Sequence, residues 1–217
     1  MAYLRRRRII EMAALDRPWI GELFVRGRGE TAYDRPADHW DNEFASGAFD
    51  RLSRSDQRHH LRLLAGMIAE TFPNPKIMEI GCGDGAFHRA IASHGPERYL
   101  GVDLSSVAVE RARERYGKRA GTEFVVGNGS NHQTDELFDA VVFPECIEFL
   151  GDPVEVLRHY AKNLKPGGLF GITQWLAAKP LRIWRAVKDT HEVVDEAVVN
   201  AAWGGAWQVW TCRPKNG

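Results

Sequence analysis

Met78-Glu79-Ile80-Gly81-Cys82-Gly83-Asp84-Gly85-Ala86-Phe87 runs an apolar stretch through an acid into alternating glycines and then into a helical pattern. A second apolar stretch, Tyr99-Leu100-Gly101-Val102-Asp103-Leu104-Ser105, ends in its own acid. A strand, a glycine turn that opens a helix, and an acid closing the next strand form a cradle for a nucleotide-type ligand. Gly81, Gly83 and Gly85 let the backbone turn sharply and approach that ligand closely.

Working outward, strands and helices alternate. Strands are expected at 76–80, 98–104, 122–127, 139–143 and 168–175. One helix runs through Phe87, Ala90 and Ile91 to a Gly95-Pro96 stop, and a second opens at Ser105 or Ser106 and closes at Gly117. A third is capped by Asp152-Pro153, with Val154, Leu157, Tyr160, Ala161 and Leu164 as its buried stripe. Upstream, Ser53 and Asp56 have capping-box spacing, so a helix is expected from Ser53 to Phe72, stopped by Pro73 and Pro75. Glu192 to Ala201 and Ala206 to Arg213 read as a hairpin around Gly204-Gly205. The fold class is α/β: a mostly parallel, Rossmann-like sheet with helices on both faces. Residues 1–50 carry scattered aromatics without a sustained period and read as a lid, and 51–217 read as one globular unit.

The spacing also satisfies the dinucleotide fingerprint, so pattern alone leaves NAD open. Charge weighs against it. Glu79 and Asp84 flank the turn, and no Lys or Arg stands between Lys76 and Arg89. A pyrophosphate there would face two carboxylates, whereas the sulfonium and ammonium of S-adenosylmethionine would be attracted.

Four segments in order, the glycine motif Glu79 to Gly85, Asp103, Phe138 to Leu150 and Leu164 to Thr173, resemble the class I S-adenosylmethionine-dependent methyltransferases of small-molecule type. The resemblance covers roughly 72–214 and implies a seven-stranded sheet ending in an antiparallel hairpin. It also implies S-adenosylmethionine as cofactor and S-adenosylhomocysteine as product. It places Glu79 at the methionine end, Gly81, Cys82, Gly83 and Gly85 along the cofactor, and Asp103 on the ribose. Leu104, Asn128 and Gly129 would meet the adenine, and Phe143 would lie beside the methionine moiety. Glu145 and Glu148 are the acid/base or acceptor-positioning candidates, because they follow the fourth strand where the methyl should point. Acceptor contacts are expected from Trp40, Phe44, Trp175, Trp184 and His191, in the lid and in the insert 174–191.

Glu145-Cys146-Ile147-Glu148-Phe149 also resembles the Glu-x-x-Glu-His element of metal-dependent RNA 2′-O-methyltransferases, but Phe149 stands in place of the histidine. The histidines form no H-E-x-x-H, so no metal is expected. With 29 basic and 29 acidic residues, no net field recruits nucleic acid. The run Arg5 to Arg8, with Arg26 and Arg28, is the one feature that would support RNA as the alternative acceptor. A cofactor-binding regulatory subunit without turnover is a further alternative. Three cysteines without C-x-x-C spacing, no apolar run near ~20 residues and a start lacking a signal-peptide core predict a cytoplasmic, non-membrane protein. Nothing in the sequence fixes an oligomeric state.

Overall fold

The computed structural model describes residues 35–53, 57–176, 178–202 and 205–215. Seven strands form one sheet in the order β3-β2-β1-β4-β5-β7-β6. They are β1 (Lys76–Ile80), β2 (Arg98–Asp103), β3 (Thr122–Val126), β4 (Phe138–Pro144), β5 (Leu164–Trp175), β6 (His191–Asn200) and β7 (Ala206–Pro214). The pairs among β1 to β5 are parallel, and β7 runs antiparallel to both β5 and β6. The expected seven-stranded sheet with a terminal antiparallel hairpin is therefore the observed one; residues 203–204 at its turn lie outside the described residues. The strand order reverses between β1 and β4, which opens a crevice at the carboxyl ends of those strands.

The helices are α1 (Ala37–Ala45), α2 (His59–Thr71), α3 (Ala86–Ile91), α4 (Ser106–Tyr116), α5 (Pro153–Ala161) and α6 (Ala178–Thr190). Strand alternation divides the core into two layers. Met78, Ile80, Val102, Val141, Phe143 and Ile172 face α5 and α6, where they meet Leu157, Tyr160, Trp184 and Val187. Ile77, Tyr99, Val142 and Val209 face the other way, against Leu64 and Ile68 of α2, Phe87 of α3 and Val109 of α4.

Local signals set the helix ends. The Ser105 hydroxyl accepts from Ala108 N at 3.1 Å and caps α4. Asp152 accepts from Val154 N and Glu155 N, and Pro153 begins α5. Two expectations need correcting. The α5 stripe is Val156, Leu157 and Tyr160; Val154, Ala161 and Leu164 are only partly buried, because the helix is rotated so that Val156 meets the sheet. The helix expected from Ser53 begins at His59, and Ser53 ends a separate single turn, Asp50–Ser53. Asp56 lies outside the described residues, as do Arg5 to Arg8, Arg26 and Arg28. Among the described residues no helix is long and apolar enough to cross a membrane.

Candidate functional site

A cavity of about 720 Å³ opens above the carboxyl ends of β1, β2 and β4. Its floor is the glycine turn. Gly81 has φ +71°, and a Cβ there would come within 2.6 Å of Cys146 Cβ, so only glycine fits between the turn and the β4 loop. Gly83, at φ +50°, donates its N–H to Asp103 Oδ2 at 2.7 Å, and Ser105 N donates to Oδ1 at 2.8 Å. Asp103 is thereby fixed in orientation, and each oxygen keeps a further lone pair. Burial pushes its carboxyl up, opposed by the N–H groups of Ser105 and Gly83.

Glu79 lies on the cavity wall and is 1% exposed. Its Oε2 has no hydrogen-bond partner among the described residues. Burial, then the charges of Asp103 and Asp84, drive its carboxyl well above the usual range. A buried carboxylate without a donor, beside two other acids, is a place for a cation. Asp84 pairs with Arg115, which leaves Glu79 as the cation-seeking acid of the turn.

Of the other expected cofactor residues, Cys82, Leu104, Asn128 and Gly129 line the cavity. Asn128 Oδ1 accepts from Ser130 N at 2.8 Å, so its side chain shapes its own turn as well as facing the cavity. Phe143 is a correction: it points into the α5 face, its ring 5.7 Å from Tyr160, and the neighbouring Pro144 reaches the cavity instead.

The expected acceptor residues separate. Trp40, Phe44, Trp175, Glu145 and Glu148 line the cavity, and so do Phe49, Phe149 and Trp207. Trp184 does not: it is 1% exposed and packs edge-to-face on Trp210, with centroids 4.5 Å apart. His191 does not either. It opens β6 opposite Pro214 at the other end of the sheet, and its ring meets Phe170. The segment after β5 forms the crossover helix α6, which carries the chain away from the cavity.

Several residues that the sequence did not flag complete the site. Asp41 of α1 accepts from Ser105 Oγ at 2.7 Å, Ser106 Oγ at 3.1 Å and Val107 N at 3.2 Å. These bonds, Ser105 first, lower its carboxyl and tie α1 over the start of α4. Phe44 then sits against Gly83, and Trp40 against Phe149 and Phe49. Asp41 carries no local signal of this role, because its partner Ser105 lies 64 positions away.

Residues 78–172, from β1 into β5, match the protein family described as a methyltransferase domain. Over those residues, less than half of its length, the chain is similar to a methyltransferase domain. Nodulation protein S of Rhizobium tropici is 31% identical to it over 116 residues, which are 52% of this chain and 48% of the relative. A ubiquinone biosynthesis O-methyltransferase of Aliivibrio fischeri is 32% identical over 97 residues, 43% of this chain and 41% of the relative. The chain thus spans about half the length, or less, of these curated relatives. In fold, the chain is similar to N-methyltransferase NodS of Bradyrhizobium japonicum WM9, solved with S-adenosyl-L-homocysteine. The TM-score is 0.71 at 19% identity, covering 83% of this chain and 98% of NodS.

Among the described residues no group of three or more His, Cys, Asp or Glu is arranged to hold a metal. The acidic glycine turn fits S-adenosylmethionine better than a dinucleotide, because the Glu79 oxygen left without a partner among the described residues would suit an ammonium and not a phosphate.

Proposed function

We propose that this chain is an enzyme that moves the methyl group of S-adenosylmethionine to a nitrogen or oxygen of a small-molecule acceptor, leaving S-adenosylhomocysteine, without a metal. The observation that carries this reading is the single cavity in which Glu79, the glycine turn and Asp103 adjoin an aromatic-walled space holding Glu145 and Glu148. When bound, the cofactor supplies a sulfonium methyl whose bond to sulfur breaks, the electron pair staying on sulfur, as the acceptor's lone pair forms the new bond.

In this reading Glu79 accepts from the cofactor's ammonium, and Asp103 uses its remaining lone pairs for the ribose hydroxyls. Gly81, Cys82 and Gly83 let the turn approach the ligand, whereas Gly85, expected there too, is absent from the lining and lets the turn close against Tyr116 of α4, where a Cβ would come within 2.7 Å; Leu104, Asn128 and Gly129 border the adenine. Trp40, Phe44 and Trp175 hold the acceptor, and Glu145 and Glu148 orient it and take its proton. Of the lid expected at 1–50, residues 1–34 lie outside the described residues; in the described part, α1 acts as a lid that covers the glycine turn of the unit 51–217. The relatives' names cover ubiquinone and, in plant and fungal proteins, sterols, which supports a small acceptor. All three cysteines are free, in keeping with a cytoplasmic location.

Label transfer from methyl-labelled S-adenosylmethionine into small-molecule, RNA and protein fractions tests the proposal. Label among small molecules is the expected result. Cofactor binding with no label in any fraction would favour a regulatory subunit.

One observation favours RNA as a second reading. Arg58, Arg62, Arg89, Ser93 and His94 ring a depression of about 370 Å³ on the far side of Ala86. Burial, then the charges of Arg89 and Arg62, lowers the Arg58 guanidinium, a repulsion that a phosphate would relieve. Label in RNA, with binding that falls steeply with salt, would select this reading.

A further inference from the structure

Glu145, His60 and Trp207 come from the end of β4, the first turn of α2 and the start of β7, and they converge at the acceptor end of the cavity. The Trp207 indole N–H donates to Glu145 Oε1 at 2.6 Å. His60 Nε2 stands 3.4 Å from Glu145 Oε2, within ion-pair range but without hydrogen-bond geometry. The His60 ring lies flat on Trp207, centroids 4.5 Å apart and planes 11° apart, and Trp175 meets Trp207 edge-on at 5.0 Å. His60 is 1% exposed and does not itself line the cavity. Glu145 does, with its side chain 28% exposed.

The backbone at Glu145 carries the same message. Its φ of +55° is left-handed, a conformation that strains a non-glycine residue and persists only where the surroundings enforce it. Its N–H donates to Thr173 O at 2.8 Å, which anchors the residue to β5. The side chain is thus gripped from behind by an indole and an imidazole, and its carboxylate is offered to the cavity.

The surroundings select the acceptor's chemistry. Glu148 lies in the same turn, and Trp40, Trp175 and Trp207 present aromatic surface. The lining's two arginines, Arg35 and Arg51, are exposed at the outer rim, and Arg51 Nη1 donates to Ala48 O. An anionic acceptor would face two carboxylates. An aliphatic hydroxyl holds its proton too tightly for a carboxylate to remove it, whereas an alkylammonium releases one near pH ~10, is attracted to carboxylates, and stacks favourably on aromatic faces.

We infer that the acceptor is an amine that enters as its ammonium ion and gives a proton to Glu145, with His60 and Trp207 as the residues that position the carboxylate. This rests on the methyl-transfer reading above. In the proton step the acceptor's N–H bond breaks, an O–H bond forms on Glu145, and nitrogen keeps the electron pair that attacks the methyl. Glu145 then returns the proton to water through its exposed edge.

The experiment is calorimetric titration of the full chain, saturated with S-adenosylhomocysteine, with benzylamine and with its neutral isostere benzyl alcohol. It uses the wild type, Glu145→Gln, His60→Phe and His60→Gln. The wild type should prefer the amine by roughly ten-fold or more, and Glu145→Gln should abolish the preference. His60→Phe keeps the stack on Trp207 and removes Nε2; it should weaken amine binding about three- to ten-fold, and His60→Gln should restore most of it. Equal binding of the two probes, binding of neither, or an amine preference that survives Glu145→Gln would overturn the acceptor assignment. A His60→Phe loss that His60→Gln does not restore would overturn the positioning role. If S-adenosylhomocysteine itself does not bind the wild type, the methyl-transfer reading fails and this one with it; if it binds without an amine preference, only this one fails.

Discussion

Replacing Glu79 with Gln separates the folding cost of the cofactor site from its benefit. In the ligand-free protein the Glu79 carboxylate is buried, has no donor to Oε2 among the described residues, and lies near Asp103 and Asp84. Its folded pKa is therefore above its unfolded value of about 4.3. Between those two values the native state binds more protons than the unfolded chain, so this group's contribution to stability falls as pH rises through the window and stays unfavourable above it. Gln has the same shape and no charge to desolvate. Glu79→Gln should raise the melting temperature of the ligand-free protein near neutral pH, by roughly 2–4 °C for each kcal/mol relieved in a domain of this size. The same change removes a charge-assisted hydrogen bond to the cofactor's ammonium, worth about 1.5–3 kcal/mol, so affinity should fall roughly 10- to 150-fold. Scanning fluorimetry gives the first quantity and calorimetry with S-adenosylhomocysteine the second. A third signature follows, because a bound cation lowers the raised Glu79 pKa: at pH values inside that window the wild type should release protons on binding, read as a heat that depends on the buffer's ionisation enthalpy, and the variant should not. An unchanged or lowered melting temperature together with unchanged affinity would refute the assignment of Glu79 as the cation-seeking acid.

Asp103→Ala should weaken S-adenosylhomocysteine binding by about 1.5–3 kcal/mol, and equal affinity in calorimetry would sink the ribose assignment. Trp184→Ala empties a core position against Trp210 and should cost about 3–5 kcal/mol in urea unfolding. Where the Trp184 variant remains folded, its cofactor affinity should match the wild type; a selective loss of acceptor binding would return Trp184 to the cavity. His88 is buried among Tyr99, Tyr116 and Phe124, and burial, then Arg119, pulls its pKa down to about 4. Because that lies below the unfolded value, stability should be full above pH ~6.5 and decline as pH falls toward 4, by at most ~3 kcal/mol from this residue. His88→Phe should flatten that part of the urea-midpoint profile, and a profile identical to wild type would contradict it.

Much of this protein is written locally. The glycine turn, the caps Ser105 and Asp152-Pro153, and the apolar runs of β1, β2, β4 and β5 depend on residues within a few positions of one another. Backbone sterics and short-range hydrogen bonds therefore make them readable, and with them the alternating α/β pattern and the place of Glu79 and Asp103. The terminal hairpin was readable for the same reason. The aromatic residues were so only in part: Trp40, Phe44 and Trp175 line the cavity as expected, and Trp184 does not. Trp175 and Trp184 stand nine positions apart, yet one lines the cavity and the other is sealed in the core. Strand parity at Trp175, and the direction in which α6 leaves the sheet, decide between them, and neither is encoded in a tryptophan's immediate neighbours. Phe143 failed the same way, since one step along β4 exchanges the face of the sheet. The grip on Glu145 joins residues 62 and 85 positions away, and the tie from Asp41 to Ser105 spans 64. Sequence determined which residues could bind a cation or a ribose, because charge and glycine act where they stand. Only the tertiary structure decided which side chains share a cavity, because that depends on how a twisted sheet brings distant strand ends together.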